Sequence, residues 1–288
     1  MVQLNILAAI KNIKGFQLKN IISLLAGLFL LALSSCATNP APLHVVTDEP
    51  VYVTMDFEAN TVSPWETQYS TEGYSLLIVN DFPRSGTKCA KFTIGSDGDL
   101  WTSPTSGISS ARSEMQIFGV APAKREVYYG WSIKIPDDYA ESSDWQCIGQ
   151  FHDQPDTSIG ETWATYPAHS PPLAYNYKQN KIQIAGSLPA NSTNVLCETT
   201  LTKGVWHDIV TRVYWSTGSD GYVEAWIDGV PFTPSNGTDN RFYWPNLYNN
   251  AGNYLKIGLY RSTAITTENS VYFDEIKSGS SYDAVKPD

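Results

Sequence analysis

Residue types that would support several classes of protein are scarce in this 288-residue chain. It has four cysteines, none in a CxxC spacing, so a cysteine-based metal site is not expected. Lysine and arginine number 19 against 29 acidic residues, which gives a formal net charge of −10 at pH 7. A chain of this charge repels the phosphate backbone, so nucleic acid is not expected as a partner.

The first 35 residues lack acidic side chains, and this absence indicates a targeting segment. Lys11, Lys14 and Lys19 precede the apolar run IISLLAGLFLLAL, which is short for a membrane-spanning helix. The run ends in LSSC, a pattern that resembles the bacterial lipoprotein signal. We therefore expect residues 1–35 to be a signal peptide, Cys36 to be acylated, residues 36–49 to be a linker and residues 50–288 to be one domain. A plain signal peptide and a transmembrane anchor are the alternatives.

Removal of this signal peptide would change the charge and the setting of the protein. Three lysines and no acids would leave, so the formal net charge would fall from −10 to −13. The expected location is that of an exported bacterial lipoprotein, at the outer membrane or cell surface, with the lipid as its only membrane contact. Export permits disulfides, but Cys89, Cys147 and Cys197 allow at most one, and the sequence does not indicate which pair.

The rest of the chain lacks an amphipathic helix of useful length and consists of short segments rich in Tyr, Trp, Thr and Val. Turn signals such as QNK, STGSDG and DGVP separate these segments, which predicts an all-β sandwich, jelly roll or barrel. Aromatic residues exceed what one core needs, and Tyr and Trp on a concave sheet face commonly bind sugars. Trp131, Trp145 and Trp226 are expected in the core instead.

Three predicted strands, ARSEMQI, IGQFHD and YLKIGLYR, combine polar side chains on one face. Because side chains alternate along a strand, three sets of residues each share one face: Arg112, Glu114 and Gln116; Gln150 and His152; and Tyr254, Lys256, Gly258 and Tyr260. By the same alternation, the apolar Ile148 interrupts the polar face of Gln150 and His152. Such faces are costly to bury without partners, and they suit a groove. Taken alone, Arg112 and Glu114 would equally suit a structural ion pair, and Lys256 and Tyr254 a solvated face.

The order of these strands resembles two groups of jelly-roll polysaccharide lyases. The segments Arg112-Ser113-Glu114, Gln150-Phe151-His152 and Tyr254–Tyr260 resemble motifs of the family-seven alginate lyases, with departures at Ile257 and at Arg261-Ser262. The segments GVWHDIVTRVYWSTGSDGYVEAWIDG and VYFDEIKSG are similar to the heparin lyase I and glucuronan lyase group. The resemblance covers roughly residues 50–280. It implies a β-jelly roll, a concanavalin-like sandwich of two antiparallel sheets with a concave substrate groove.

The resemblance also implies cleavage of a uronic-acid polysaccharide by β-elimination. In that reaction donors neutralise the uronate carboxylate, a base removes the C5 proton and an acid protonates the leaving C4 oxygen. Arg112 and Gln150 are expected to be the donors, and His152 and Tyr260 to transfer the protons. Whether Tyr260 acts alone or with His152 as base depends on which sides of the sugar the two groups leave from. The expected substrate contacts are Lys256, Glu114, Tyr254, Arg261 and Asn176.

The expected substrate is an anionic polymer, glucuronan-like first and alginate second, acted on by a monomer. The scheme requires no cofactor, although Glu58 and Asp274 could hold a structural Ca²⁺ near the ends of the domain. One alternative is a non-catalytic carbohydrate-binding lipoprotein with the same fold. Another is a glycoside hydrolase that uses Glu224 and Asp228, but the dense acidic strand of jelly-roll glucanases is absent.

Overall fold

The computed structural model describes residues 52–69, 73–96, 100–103, 107, 109–188, 193–232 and 240–288. The predicted signal peptide, the acylation site Cys36 and the linker lie outside these residues. No helix among the described residues has the length and apolar composition needed to span a membrane.

The described residues form two antiparallel sheets, whose strands are numbered here in chain order. The front sheet has the order β11-β10-β9-β8-β16-β6-β2, with β5 paired to β6. Its strands are β2 (Glu66–Tyr69), β5 (Leu100–Thr102), β6 (Ser109–Ala121), β8 (Gln146–Asp153), β9 (Leu173–Lys178), β10 (Lys181–Ser187), β11 (Thr193–Thr200) and β16 (Asn253–Arg261). Strands β8 to β11 follow one another in the chain, whereas the pairings of β8 with β16, β16 with β6 and β6 with β2 join strands that are distant in the chain.

The back sheet has the order β14-β13-β12-β7-β17-β4-β3, with β1 paired to β17 and β15 to β13. Its strands are β1 (Thr54–Met55), β3 (Leu76–Val79), β4 (Cys89–Ile94), β7 (Glu126–Lys134), β12 (Trp206–Tyr214), β13 (Tyr222–Ile227), β14 (Val230–Pro231), β15 (Phe242–Tyr243) and β17 (Asn269–Gly279). A 3₁₀ turn (Thr157–Ile159) and a terminal helix, α1 (Tyr282–Val285), complete the elements. The predicted all-β jelly roll is confirmed.

The core lies between the sheets, where each strand turns its apolar face inward. Trp131, Trp215 and Tyr129 are among its largest fully buried side chains. The polar atoms of Trp215 and Tyr129 are paired, since Trp215 Nε1 donates to Tyr129 Oη at 2.8 Å and Tyr129 Oη donates to the Val120 carbonyl at 2.6 Å. The three cysteines of the domain are buried free thiols.

Two irregularities at the centre of the front sheet decide which residues face the groove side. Between β8 and β9 the register shifts at Cys147 and Gly149, so Ile148 turns into the core with 1% of its surface exposed. The expectation that Ile148 shares the face of Gln150 and His152 is therefore wrong, because the bulge inserts one residue and reverses the alternation. The second irregularity is at Gly258 on the neighbouring strand β16, which has φ +139°. A Cβ there would lie 2.3 Å from the Ser113 carbonyl oxygen, so this close approach to β6 requires glycine.

Candidate active site

The predicted site residues converge on the outer face of three adjacent strands, β8, β16 and β6. Strand β16 lies in the middle, where Tyr254 is opposite His152 and Lys256 is opposite Gln150. On its other side Tyr260 is opposite Arg112. Because these strands are the centre of a long sheet, hydrogen bonds on both sides fix the positions of their side chains. We call this group of residues the front-sheet site.

Glu114 connects Arg112 and Gln150 from beneath. Its Oε1 accepts a hydrogen bond of 2.6 Å from Gln150 Nε2, and its Oε2 lies 2.9 Å from Arg112 Nη1. Glu114 and Gln150 are each 1% exposed, whereas the Arg112 side chain is 12% exposed. Glu114 therefore holds the two donors in place, and its burial does not fit the predicted direct contact with substrate.

Lys256 is a buried cation within this network. Its Nζ donates to Gln68 Oε1 at 2.8 Å, and the same oxygen accepts a 3.0 Å hydrogen bond from Arg112 Nη1. Burial, together with the nearby Arg112 charge, lowers the pKa of Lys256 to about 7 from its ordinary value of 10.5. Gln68 comes from edge strand β2, and sequence reasoning missed it because a lone glutamine in a short strand gives no motif.

His152 is held by the residue that follows it. Its Nδ1 lies 2.9 Å from Asp153 Oδ1, and the other oxygen of that carboxylate lies 2.6 Å from His169 Nδ1. Burial would raise the pKa of Asp153, but hydrogen bonds and charge interactions with the two histidines keep it below its ordinary value. Asp153 thus stays ionised at neutral pH, engages Nδ1 of His152 and leaves Nε2 as the ring nitrogen directed away from it.

Aromatic rings surround the proton-transfer candidates. The Arg112 Cζ lies 4.0 Å from the centroid of the Tyr260 ring, and the Trp145 ring meets the same ring edge-on, with the two ring centroids 4.7 Å apart. Such a guanidinium over a phenol ring is a favourable cation–π contact and fixes the ring. Trp145 is 49% exposed, so its predicted core position is wrong.

Tyr254 lies at the other end of the front-sheet site and is 5% exposed. Phe118 stacks on its ring at 4.6 Å, and Trp163 contacts it edge-on at 6.0 Å. Burial raises the pKa of Tyr254, which keeps the phenol protonated. Trp163 is 46% exposed, so Trp145 and Trp163 present partly open indole rings at opposite ends of the site.

Two predicted substrate contacts are placed differently from each other. Arg261 is 1% exposed and points between the sheets, where its Nη2 donates to the Gly95 carbonyl at 3.1 Å. This position argues against substrate contact, because strand alternation puts Arg261 on the face opposite Tyr260. Asn176 is half-buried on β9, opposite Cys147, and so borders the front-sheet site.

The two acids considered for Ca²⁺ instead bind the loop 84–88. Glu58 Oε1 accepts hydrogen bonds of 2.7 Å from the backbone amides of Thr87 and Lys88. Asp274 Oδ2 accepts from the Arg84 amide at 2.9 Å. Among the residues that the structure describes, no group of three acidic, histidine or cysteine side chains has an arrangement that could hold a metal ion.

Comparison with known proteins identifies the family. A family model described as polysaccharide lyase matches residues 57–277, and the chain belongs to this family. No curated protein matches the sequence. The solved structure of an endo-β-1,4-glucuronan lyase from the fungus Trichoderma reesei is 19% identical, with a TM-score of 0.61 over 79% of this chain and 95% of that chain.

Two further structures show how widely this fold is used. A variant of alginate lyase A1-II′ is 14% identical, with a TM-score of 0.51 over 75% of this chain and 94% of its own. The catalytic domain of a glycoside hydrolase family 131 β-glucanase from Podospora anserina is 13% identical, with a TM-score of 0.50 over 80% of this chain and 90% of its own. At these identities the likeness concerns the fold alone.

Proposed function

We propose that this protein cleaves a uronic-acid polysaccharide by β-elimination, with a glucuronan-like polymer as the favoured substrate and alginate second. The observation that carries the proposal is the front-sheet site, in which a guanidinium, an imidazole and a phenol lie on three adjacent strands. A surface that only binds sugar has no need for a carboxylate that fixes an imidazole on the same sheet face as a guanidinium and a phenol. The family match and the fold shared with a glucuronan lyase support the same class of reaction.

Arg112 is the residue best placed to neutralise the substrate carboxylate. It is the most exposed cation of the front-sheet site, and Glu114 and Gln68 hold its guanidinium in place. The 1% exposed Gln150 lies beneath it, so we assign the direct contact to Arg112 and the role of second donor to Gln150. Neutralising the carboxylate allows charge to develop on it when the C5 proton leaves.

His152 and Tyr260 transfer the protons in this proposal. The His152 side chain is 25% exposed, and its Nδ1 is bound to Asp153, so Nε2 is available to accept the C5 proton. Tyr260 is partly exposed beside Arg112 and donates its phenolic proton to the leaving C4 oxygen. For a glucuronate, where both groups leave from the same side of the ring, Tyr260 can perform both transfers in turn. Each proton then moves between substrate and protein without a cofactor.

Substrate contacts come from both ends of the site. Lys256 supplies a second positive charge beneath the polymer, while Tyr254 forms part of the floor and Asn176 borders the site on β9. Trp145 and Trp163 would stack on the sugars that flank the cleaved bond, since an indole ring packs well on the apolar face of a pyranose. The proposed setting is that of an exported lipoprotein, anchored through Cys36 at the outer membrane or cell surface and working as a monomer.

The test uses the full-length protein purified in detergent, mixed in turn with glucuronan, polymannuronate, polyguluronate, heparin and chondroitin. A lyase leaves a C4–C5 double bond, so ultraviolet absorbance should rise on one of these polymers. The rise should be lost in Tyr260→Phe and kept in the matched control Tyr243→Phe, which alters a 55% exposed tyrosine of the back sheet. Loss in His152→Ala as well would assign the base to His152, whereas activity in His152→Ala alone would assign both transfers to Tyr260. Activity in both variants would refute the assignment. Saturated products would instead indicate a hydrolase, and binding without products would indicate a carbohydrate-binding protein.

A further inference from the structure

The outer face of the back sheet carries an unusual number of aromatic side chains. The solvent side of an antiparallel sheet normally carries polar residues. Here it presents Tyr128 on β7, Tyr214 on β12, Tyr222 and Trp226 on β13, Tyr243 on β15 and Tyr282 on α1, none of which belongs to the core cluster. Trp226 is thus neither in the core, as its sequence context predicts, nor in the front-sheet site. These rings are part of the aromatic excess that the core does not use.

Some of these rings line a depression of about 350 Å³, which we call the back-sheet depression. Its lining consists of Tyr128, Arg212, Glu224, Trp226, Gly229 and Tyr282. Helix α1 forms one wall and is fixed on the sheet, because a Cβ at Gly130 would lie 2.0 Å from the Val285 carbonyl oxygen. Tyr282 of this helix meets Trp226 edge-on at 5.2 Å. The depression therefore has a wall and a floor and differs from a bare sheet face.

The polar side chains of the depression balance each other in charge. Arg212 lies between two carboxylates, with its Nη2 2.9 Å from Glu126 Oε2 and its Nη1 3.1 Å from Glu224 Oε2. Arg241 Nε donates to the second oxygen of Glu224 at 2.5 Å. Two guanidinium groups thus face two carboxylates, so this surface has no net charge that would attract a polyanion. At the front-sheet site, in contrast, Arg112 is held by one carboxylate, Glu114, and by the neutral amide of Gln68.

We propose that the back-sheet depression binds neutral pyranose residues of a polysaccharide. Aromatic rings suit the apolar C–H face of a pyranose, and fixed guanidinium and carboxylate groups suit pairs of neighbouring hydroxyls as donors and acceptors. An open depression accommodates an internal stretch of a chain as well as its end. The Glu224 side chain is 12% exposed and its ion pairs stabilise the sheet, but the Arg212 side chain is 25% exposed and so is also open to a ligand.

This binding would give the protein two separate contacts with polysaccharide, one on each sheet. When both contacts engage one polymer or one cell-wall network, the second contact forms at a high effective concentration and strengthens overall attachment. The inference does not depend on the lyase reaction, because none of the residues of the depression belongs to the front-sheet site.

The test measures binding of neutral hexasaccharides (β-1,4-gluco-, β-1,4-manno-, β-1,4-xylo- and β-1,3-gluco-) to the full-length protein in detergent, with a glucuronan hexasaccharide for comparison. Trp226→Ala removes the central ring, and Tyr282→Ala removes the wall without altering the sheet. The matched control is Trp206→Ala, on the same face of the same sheet, where the indole nitrogen donates to the Phe82 carbonyl outside the depression. Thermal unfolding midpoints identify variants that are folded.

We expect at least one neutral hexasaccharide to bind the wild type and Trp206→Ala equally, and to bind folded Trp226→Ala or Tyr282→Ala at least tenfold more weakly. Three results would overturn the proposal. One is the absence of binding to any neutral hexasaccharide. Another is equal binding by the wild type and both depression variants. The third is a neutral hexasaccharide whose binding is lost in a further variant, Trp145→Ala, and kept in Trp226→Ala and Tyr282→Ala, which would place the neutral sugar at the front-sheet site.

Discussion

Lys256 provides the sharpest test of the electrostatics of the front-sheet site. Its folded-state pKa of about 7 lies below its ordinary value of 10.5, because burial disfavours the charged form. Between these two pKa values the unfolded chain binds a proton that the folded chain does not. Lys256 therefore destabilises the folded state least above pH 10.5. This penalty grows as the pH falls from 10.5 to 7 and is constant below pH 7.

The change Lys256→Met removes this titration while keeping much of the side-chain volume. From the two pKa values, the penalty of Lys256 is larger at pH 6 than at pH 9 by about 2.7 kcal/mol. The free energy of unfolding of the variant, relative to wild type, should rise by about this amount between pH 9 and pH 6. The hydrogen bond from Lys256 to Gln68 changes strength when the lysine ionises, but this change is part of what sets the folded-state pKa, so the difference already includes it.

Urea unfolding of both proteins at pH 6, 7.5 and 9 measures this difference. The exposed pair Lys181–Glu198 supplies a control, since Lys181→Met alters a lysine whose side chain is 46% exposed. The relative stability of this control should vary little with pH. If the curves for Lys256→Met and wild type run parallel from pH 6 to 9, Lys256 is not a desolvated cation and the reasoning fails.

Three further predictions concern other parts of the chain. Asp153→Asn should lower kcat by about 10²-fold, with little change in KM and an altered pH profile, because His152 loses the carboxylate that orients it; unchanged steady-state kinetics would refute this role. Gly258→Ala should lower the free energy of unfolding by about 3 kcal/mol in urea titrations, since its Cβ meets the Ser113 carbonyl in a strained backbone; an unaffected midpoint would contradict it. Cys36→Ala should abolish incorporation of labelled fatty acid and release the protein from membranes, whereas retained label would exclude Cys36 as the lipid site.

Alternation along the strands predicted most of the front-sheet site. Arg112, Glu114 and Gln116 follow β6 without interruption, and Tyr254, Lys256 and Tyr260 likewise keep to one face of β16. Where alternation failed, a bulge was the cause: Ile148 turned inward because β8 gained a residue that no sequence pattern marked.

Other differences arose from packing that a single strand does not encode. Arg261 obeys alternation, but its place beside the motif suggested a groove residue. Only its hydrogen bond to the Gly95 carbonyl, just after strand β4 of the back sheet, shows that it lies between the sheets. Trp145 was expected in the core, yet it lies just before β8 and meets the Tyr260 ring edge-on at the surface. Asp153 follows His152 directly, so only the side-chain geometry shows that both meet His169.

The position of β16 between β8 and β6 has a consequence for how this protein can evolve. The groups assigned to proton transfer and carboxylate binding lie on these central strands, where each change disturbs two neighbours. Gln68 and Trp101, whose ring centroid lies 5.5 Å from Arg112 Cζ, come in contrast from the short strands β2 and β5 at the margin of the sheet. Substitutions and insertions at that margin can select a new polymer while the reaction stays the same, so relatives with different substrates should diverge there first.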